Sequence, residues 1–471
     1  MSRPNLPLDI QLNILGYLLS MGEHEDSIEK SILATVSKPW QDAIERKLFR
    51  SLTVNLLDLK DFCVYTKDRT HLVKHILLEL NLCKLDRGPT ISRNCFQAAT
   101  WILFGILSTW HNRDITLEIG ILPCIERRDK CPKTNHIHPM GSVPRCRSPD
   151  TVFKEIFELP SEMLFGGVLA ESEPAWHNKA SSLLGRMDLG FQPSMECYIP
   201  SVKCISKLLI RRRYFPNISS LTLARIMLAL PSLESVHIER WCYGDLLLDT
   251  LYDMKFRAFF RVPRSCKNIS FYEESDTAYH RRVTRPRESQ PNTTLRESLV
   301  EEAGHLENIA VSFSFDAVSF FTPPFTSDFK ELKTLALTSP TMVSKEYGVV
   351  DDFLCATAKV AKGMPKLETL ELWYFSSPSF MPPHPTPSCA GIFTYQRLDR
   401  YSSCISWKST RSFKMSEETR ESWKGVVDVE GAEFSVEHLD LDPDQLTSIG
   451  KLYPYLALRD RILHGITWTE A

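Results

Sequence analysis

The chain has 471 residues and a formal net charge of −2, with hydrophobic residues at 43% and charged residues at 24%. That length supplies a large core and room for two or more domains. The near-neutral balance argues against a nucleic-acid platform or an anionic membrane surface as partner.

The N-terminal MSRPNLPLD lacks a basic region running into an apolar stretch, so no secretory signal is expected. Thirteen scattered cysteines, most in apolar settings such as Cys63, Cys83 and Cys355, predict reduced, buried thiols in an intracellular protein of the cytoplasm, the nucleus or both. Pro7 suits the first position of a helix, where its missing N–H costs nothing. From there Ile10, Ile14 and Leu18 form one apolar row, with Leu8, Leu12, Leu15 and Leu19 beside it. A polar joint follows Gly22. A second helix carries Ile28, Ile32, Leu33 and Val36, and Pro39 opens a third with Trp40, Ala43, Ile44 and Leu48. Three short helices in some fifty residues cannot enclose a full core, so part of their apolar surface awaits a partner.

The order Leu6-Pro7, Asp9, Ile10, Ile14-Leu15, Leu18, then Leu33, Val36-Ser37 and Trp40 resembles an F-box. That resemblance implies docking on a Skp1-type adaptor, and through it on a cullin. The adaptor-binding residues would be Leu6, Pro7, Ile10, Ile14, Leu15, Leu18, Leu33, Val36 and Trp40. The joint from Met21 to Lys30 is longer and more acidic than the family pattern, a departure that bears on adaptor affinity.

Beyond residue 50 an L-x-x-L-x-L pattern recurs: Val73/Ile76/Leu78, Ile205/Leu208/Ile210, Leu233/Val236/Ile238, Leu306/Ile309/Val311, Leu332/Leu335/Leu337, Leu367/Leu370/Leu372 and Val436/Leu439/Leu441. Its last two apolar positions alternate, as in a strand with one buried face. Helical stretches such as LTLARIMLALPSL and DDFLCATAKVAKGMP lie between copies, and WILFGIL at Trp101–Leu107 reads as a core helix, too short to span a bilayer. Val236 to Ile269 spans 33 residues, Ile309 to Leu335 spans 26 and Leu335 to Leu370 spans 35. The expected fold is therefore α/β: a three-helix N-terminal unit over 1–50, then an irregular leucine-rich-repeat-like strand–helix array over 51–471. Mobile insertions are expected at 122–150, 281–297 and 376–388 from their Pro-rich or charged composition. GIFTYQRL and SCISWKST read as a hairpin that breaks the rhythm.

Phrases such as LFGILSTW, LIRRRYFP, LKTLALTSP and MPKLETLELW extend the resemblance to a family of F-box proteins expanded in filamentous fungi. The implied function is a non-catalytic substrate receptor of a Skp1–cullin–F-box ubiquitin ligase, holding an unknown target protein on the array. An F-box-bearing scaffold that binds without ubiquitination is the alternative. Outward residues of the later strands, Lys333, Thr334, Ala336, Glu368, Thr369 and Glu371, and the aromatics Trp373, Tyr374 and Phe375, are the candidate target-binding positions.

Other chemistry finds little support. Cys124, Cys131, His136, His138 and Cys146 share one stretch, but six residues separate the first two and no second pair follows, so no metal is expected. Arg211-Arg212-Arg213 with Tyr214 and Phe215 reads as a solvated corner. There is no G-x-x-x-x-G-K-[ST], no G-x-G-x-x-G and no G-x-S-x-G, so neither a cofactor nor a catalytic residue is assigned.

Overall fold

Six copies of the sequence pattern share one register within a single sheet. In the computed structural model, Ile76, Leu117, Leu208, Val236, Ile269, Ile309, Leu335 and Leu370 form one continuous row across eight neighbouring strands. The structure describes residues 7–21, 30–81, 89–122, 186–187, 189, 199–214, 217–241, 262–274, 293–322, 329–376, 387–426, 433–465 and 467.

The chain opens with three helices, α1 (Leu8–Met21), α2 (Lys30–Ala34) and α3 (Lys38–Arg50). Strands follow in chain order: β1 (Ser51–Val54), β2 (His75–Asn81), β3 (Ile115–Leu122), β4 (Arg186–Met187), β5 (Ile205–Ile210), β6 (Asn217–Ile218), β7 (Ser235–Trp241), β8 (Asn268–Glu274), β9 (Asn308–Ser312), β10 (Thr334–Thr338), β11 (Thr369–Ser376), β12 (Cys389–Arg397), β13 (Ser402–Ser409) and β14 (Glu433–Asp440). Strands β4 and β6 pair apart from the rest, and the other twelve form one sheet in strict chain order. Its strands run parallel from β1 to β11. Strand β12 is antiparallel to β11 and β13, which is the expected hairpin, and β14 runs parallel to β13.

Alternation divides the sheet into two faces. One face carries the leucine row and packs against helices, among them Leu59–Thr66, Pro89–Leu107, Ser220–Leu228, Tyr347–Ala361 and Glu417–Lys424, in the main core. Their inward residues include Phe62, Leu103, Phe104, Leu223, Ile226, Phe353, Leu354 and Trp423. The leading leucines Leu233, Leu306, Leu332 and Leu367 are fully buried just ahead of their strands.

The copy at Val436/Leu439/Leu441 departs from its expected register. Val436 takes the core position opposite Ile405, whereas Leu439 pairs with Lys408 on the other face and is exposed. The 281–297 insertion is also shorter than expected, because Thr293–Glu302 is a helix; residues 281–292 lie outside the described residues. So do nearly all of 122–150 and 377–386. Among the described residues no helix is long and apolar enough to cross a membrane.

Candidate functional site

Two surfaces stand out. The first is the N-terminal helical unit, whose own core is small: Leu15, Leu33, Trp40 and Ile44, with Leu18, Ala34 and Ala43 packed against it. Ser37 caps α3 by accepting a hydrogen bond from the Trp40 N–H, with Pro39 in the first turn, so a single Ser-x-Pro-Trp stretch both starts the helix and delivers its core tryptophan. Ile10, Ile14 and Tyr17 recur at helical spacing on α1 and are exposed by 42, 41 and 66%. Ile32 of α2 and Val36 just beyond it are 57 and 60% exposed. Of the expected adaptor residues, Ile10, Ile14, Val36 and Pro7 are thus at the surface, Leu15, Leu33 and Trp40 form the supporting core, and Leu18 is half-buried. Leu6 lies outside the described residues.

This unit joins the sheet without a linker. Arg50 ends α3 and Ser51 begins β1. The Arg69 guanidinium donates to Glu45 Oε1 at 2.9 Å and lies 5.2 Å from the centre of the Phe49 ring.

The second surface is the sheet face turned away from the helices. Here the chain returns over its own sheet. After β14, a strap formed by residues 441–465 and Thr467 recrosses the strands from β13 back to β7. Lys408 of β13 donates to the Tyr455 carbonyl at 2.8 Å, and Glu371 of β11 accepts the N–H groups of Ala457 and Leu458 at 2.7 and 2.9 Å. Ser270 of β8 donates to the Ile462 carbonyl at 3.3 Å. Glu239 of β7 accepts from the His464 N–H at 3.0 Å and the Thr467 hydroxyl at 2.9 Å. Leu446, Leu452, Tyr453, Leu456, Ile462 and Leu463 form a second core with Tyr272, Trp373, Phe375 and Ile392 beneath them. The strap lies close because the row it crosses is built of small side chains, Ser270, Ala310 and Ala336 in lateral register. A mostly parallel sheet needs cover on both faces, and the strap supplies it here.

Buried charge concentrates on this same face. Glu118 of β3 is fully buried, with Arg211 Nε at 2.7 Å and His75 Nε2 at 3.0 Å. Burial pushes its carboxyl up, but the bond from His75 and the Arg211 charge outweigh that and hold it below the ordinary range. Glu239 follows the same logic: burial raises it, but the bond from His237 and the charges of His237 and Arg212 outweigh that and hold it below the ordinary range. For Glu371 burial prevails, and its carboxyl stands above the ordinary range despite the Leu458, Ala457 and Thr394 donors. Burial keeps His464 below its usual value.

The expected target-binding residues scatter. Trp373 is fully buried under the strap, its ring 6.5 Å from that of Tyr453, and Glu371, Ala336 and Phe375 are buried with it. Tyr374 is half-buried and faces the helices, packed on the main core. Lys333 and Glu368 remain at the strand entrances, where Lys333 and Lys267 both pair with Glu307, at 2.8 and 2.9 Å. Those two lysines pull the Glu307 carboxyl down to about 2.

Two further expectations are corrected. Arg211 and Arg212 are buried, not solvated, and Tyr214 donates to Glu79 at 3.2 Å. Cys63 is exposed, whereas burial pushes the thiols of Cys204 and Cys266 up to about 11 and about 12. Cys83 and the stretch from Cys124 to Cys146 lie outside the described residues; among the described ones no group of three His, Cys, Asp or Glu is placed to hold a metal. The strap escaped the sequence reading because its leucines follow no helical or strand period. A single acid inside an otherwise apolar strand is the legible signal for Glu118 in LEIGIL and Glu371 in LELWYF, whereas Glu239 in HIERW stands among the polar His237 and Arg240 and gives no such signal.

The model of one protein family, described as a family of unknown function (DUF6546), matches residues 261–464, from just before β8 to His464 in the strap. No curated protein and no solved structure matches the chain.

Proposed function

We propose that this chain is the substrate-recognition subunit of a Skp1–cullin–F-box type ubiquitin ligase and performs no chemistry itself. One observation carries the reading: Ile10, Ile14 and Tyr17 of α1, Ile32 of α2 and Val36 just beyond it stand exposed beside a small core of Leu15, Leu33, Trp40 and Ile44. Large aliphatic side chains left outside a finished core mark a protein interface. Ile10, Ile14 and Val36 among them belong to the sequence order that resembles an F-box. The sheet, advancing one strand at a time with helices on one side, is consistent with a leucine-rich-repeat-like array.

The direct junction of α3 and β1 and the Arg69–Glu45 pair would fix a captured target relative to the adaptor. Effective concentration, roughly millimolar for a short tether, would then favour ubiquitin transfer to the target's lysines. Because the strap covers the outward face of the later strands, target binding is assigned to the charged strand entrances around Lys333, Glu307 and Glu368.

The test is co-purification of full-length protein with a Skp1-type adaptor and cullin, followed by target half-life. A captured partner whose half-life is unchanged when the adaptor face is disrupted indicates a scaffold and contradicts the receptor reading.

A further inference from the structure

Where the strap reaches β7 it leaves a cavity of about 140 Å³ between itself and the sheet. The sheet contributes Lys207, His237, Asn268 and Asn308, and the strap contributes Arg461 and His464. The space exists because Ser235, Ser270 and Ala310 place little bulk above the backbone.

Its lining favours negative charge. Lys207 and Arg461 bring two cations against one carboxylate, Asp460. Lys207 reaches Asp114 only at 3.6 Å with both side chains more than half exposed, a pair that solvent screens. The asparagines present donors. Asn308 Oδ1 accepts from Thr334 and Asn268 Oδ1 accepts from Asn308, both at 2.6 Å, while Asn268 Nδ2 donates to the Glu234 carbonyl at 3.2 Å. These bonds use the amide oxygens and one hydrogen of each amide nitrogen, so each nitrogen keeps a second N–H. His237 is held in place by Glu239 at 2.9 Å.

We propose that this cavity binds a small organic oxyanion, a phosphate or carboxylate group held between Lys207 on the sheet and Arg461 on the strap, and that occupancy clamps the strap to the sheet. A ligand that touches both parts binds the strapped state alone, and so stabilises it by mass action. The inference rests on the cavity and is independent of the adaptor reading.

The experiment titrates full-length protein with inorganic phosphate and, separately, succinate, at fixed ionic strength with chloride as the control. Calorimetry and melting temperature report binding, and amide exchange at His464 reports the strap. The expected result is saturable binding of at least one oxyanion, slower exchange at His464, and affinity weakened about tenfold or more in K207A/R461A. The melting temperature of the unliganded variant should match that of the parent, since both side chains are exposed. Absence of binding above the chloride control overturns the site, as does unchanged affinity in the double variant. Binding without slower exchange overturns the clamp.

Discussion

Glu371 and Leu458 lie 87 positions apart in the chain, yet the Leu458 N–H donates to Glu371 Oε2 at 2.9 Å inside the protein. With the neighbouring Ala457 bond at 2.7 Å, one strand carboxylate satisfies two backbone donors that the strap would otherwise bury unpaired. An acid in the middle of LETLELW is thus explained by the strap. Replacing it should cost about 1–3 kcal/mol for each donor left unsatisfied. E371A is expected to accelerate amide exchange at Ala457 and Leu458 well before global unfolding. Exchange equal to the parent would show that the carboxylate does not hold the strap.

The strap's two carboxylate anchors should respond to pH in opposite senses. Glu371 stands above the ordinary value of 4.5, chiefly through burial, so its contribution is complete below that value and is lost as pH rises through its raised one. Glu239 stands below 4.5, because His237 and Arg212 outweigh burial, so its contribution is present above 4.5 and is lost as pH falls through its lowered one. Stability followed by denaturant titration across pH should show E371Q abolishing the fall on the rising side and sparing the acid-side loss. An identical profile for E371Q and parent contradicts this assignment.

Glu118 and Arg211 form a buried pair at 2.7 Å. Removing one partner strands the other charge, at about 3–5 kcal/mol. R211M should therefore lower the melting temperature sharply, and E118L/R211M should recover much of the loss. A double variant no more stable than R211M would mean that the pair contributes through other contacts.

How much of this was legible follows from period and distance. The strands at Leu208, Val236, Ile309, Leu335 and Leu370 announce themselves because burial on one face forces alternation, and their lateral register confirms the spacing. The N-terminal helices are legible for the same reason at period 3.6. Trp373 was misplaced because alternation reports that a residue leaves the main core, not that a distant segment covers it again. Arg211 looked solvated because its partner Glu118 is 93 positions away. Val436 shows the converse error: the spacing of VEHLDL fits the pattern, yet the pairing with β13 shifts the core position to its first residue.

Trp373 fills the second core beside Phe313, at 5.1 Å between ring centres, and Tyr453. W373A should cost about 3–5 kcal/mol, as truncations of large buried aromatics do. A variant with parental melting temperature would return this ring to the list of surface candidates.

Gly120 lies beneath the Tyr214 ring, so an added Cβ would come within 2.6 Å of three ring atoms. G120A should displace the ring, break its bond to Glu79 and cost about 1–3 kcal/mol. Y214A introduced alongside should relieve the clash. A G120A variant as stable as the parent contradicts the packing described here.

The most direct measurement is adaptor binding by full-length protein carrying I10D and I14D together. Both side chains are exposed, so the variant should fold with parental circular dichroism and melting temperature. Burying an isoleucine is worth about 1.5–3 kcal/mol, and a carboxylate in its place adds a desolvation cost. The account predicts loss of a micromolar-class complex with a Skp1-type adaptor in calorimetry. A folded double variant that binds the adaptor as tightly as the parent, or a parent chain that binds no adaptor at all, would contradict it.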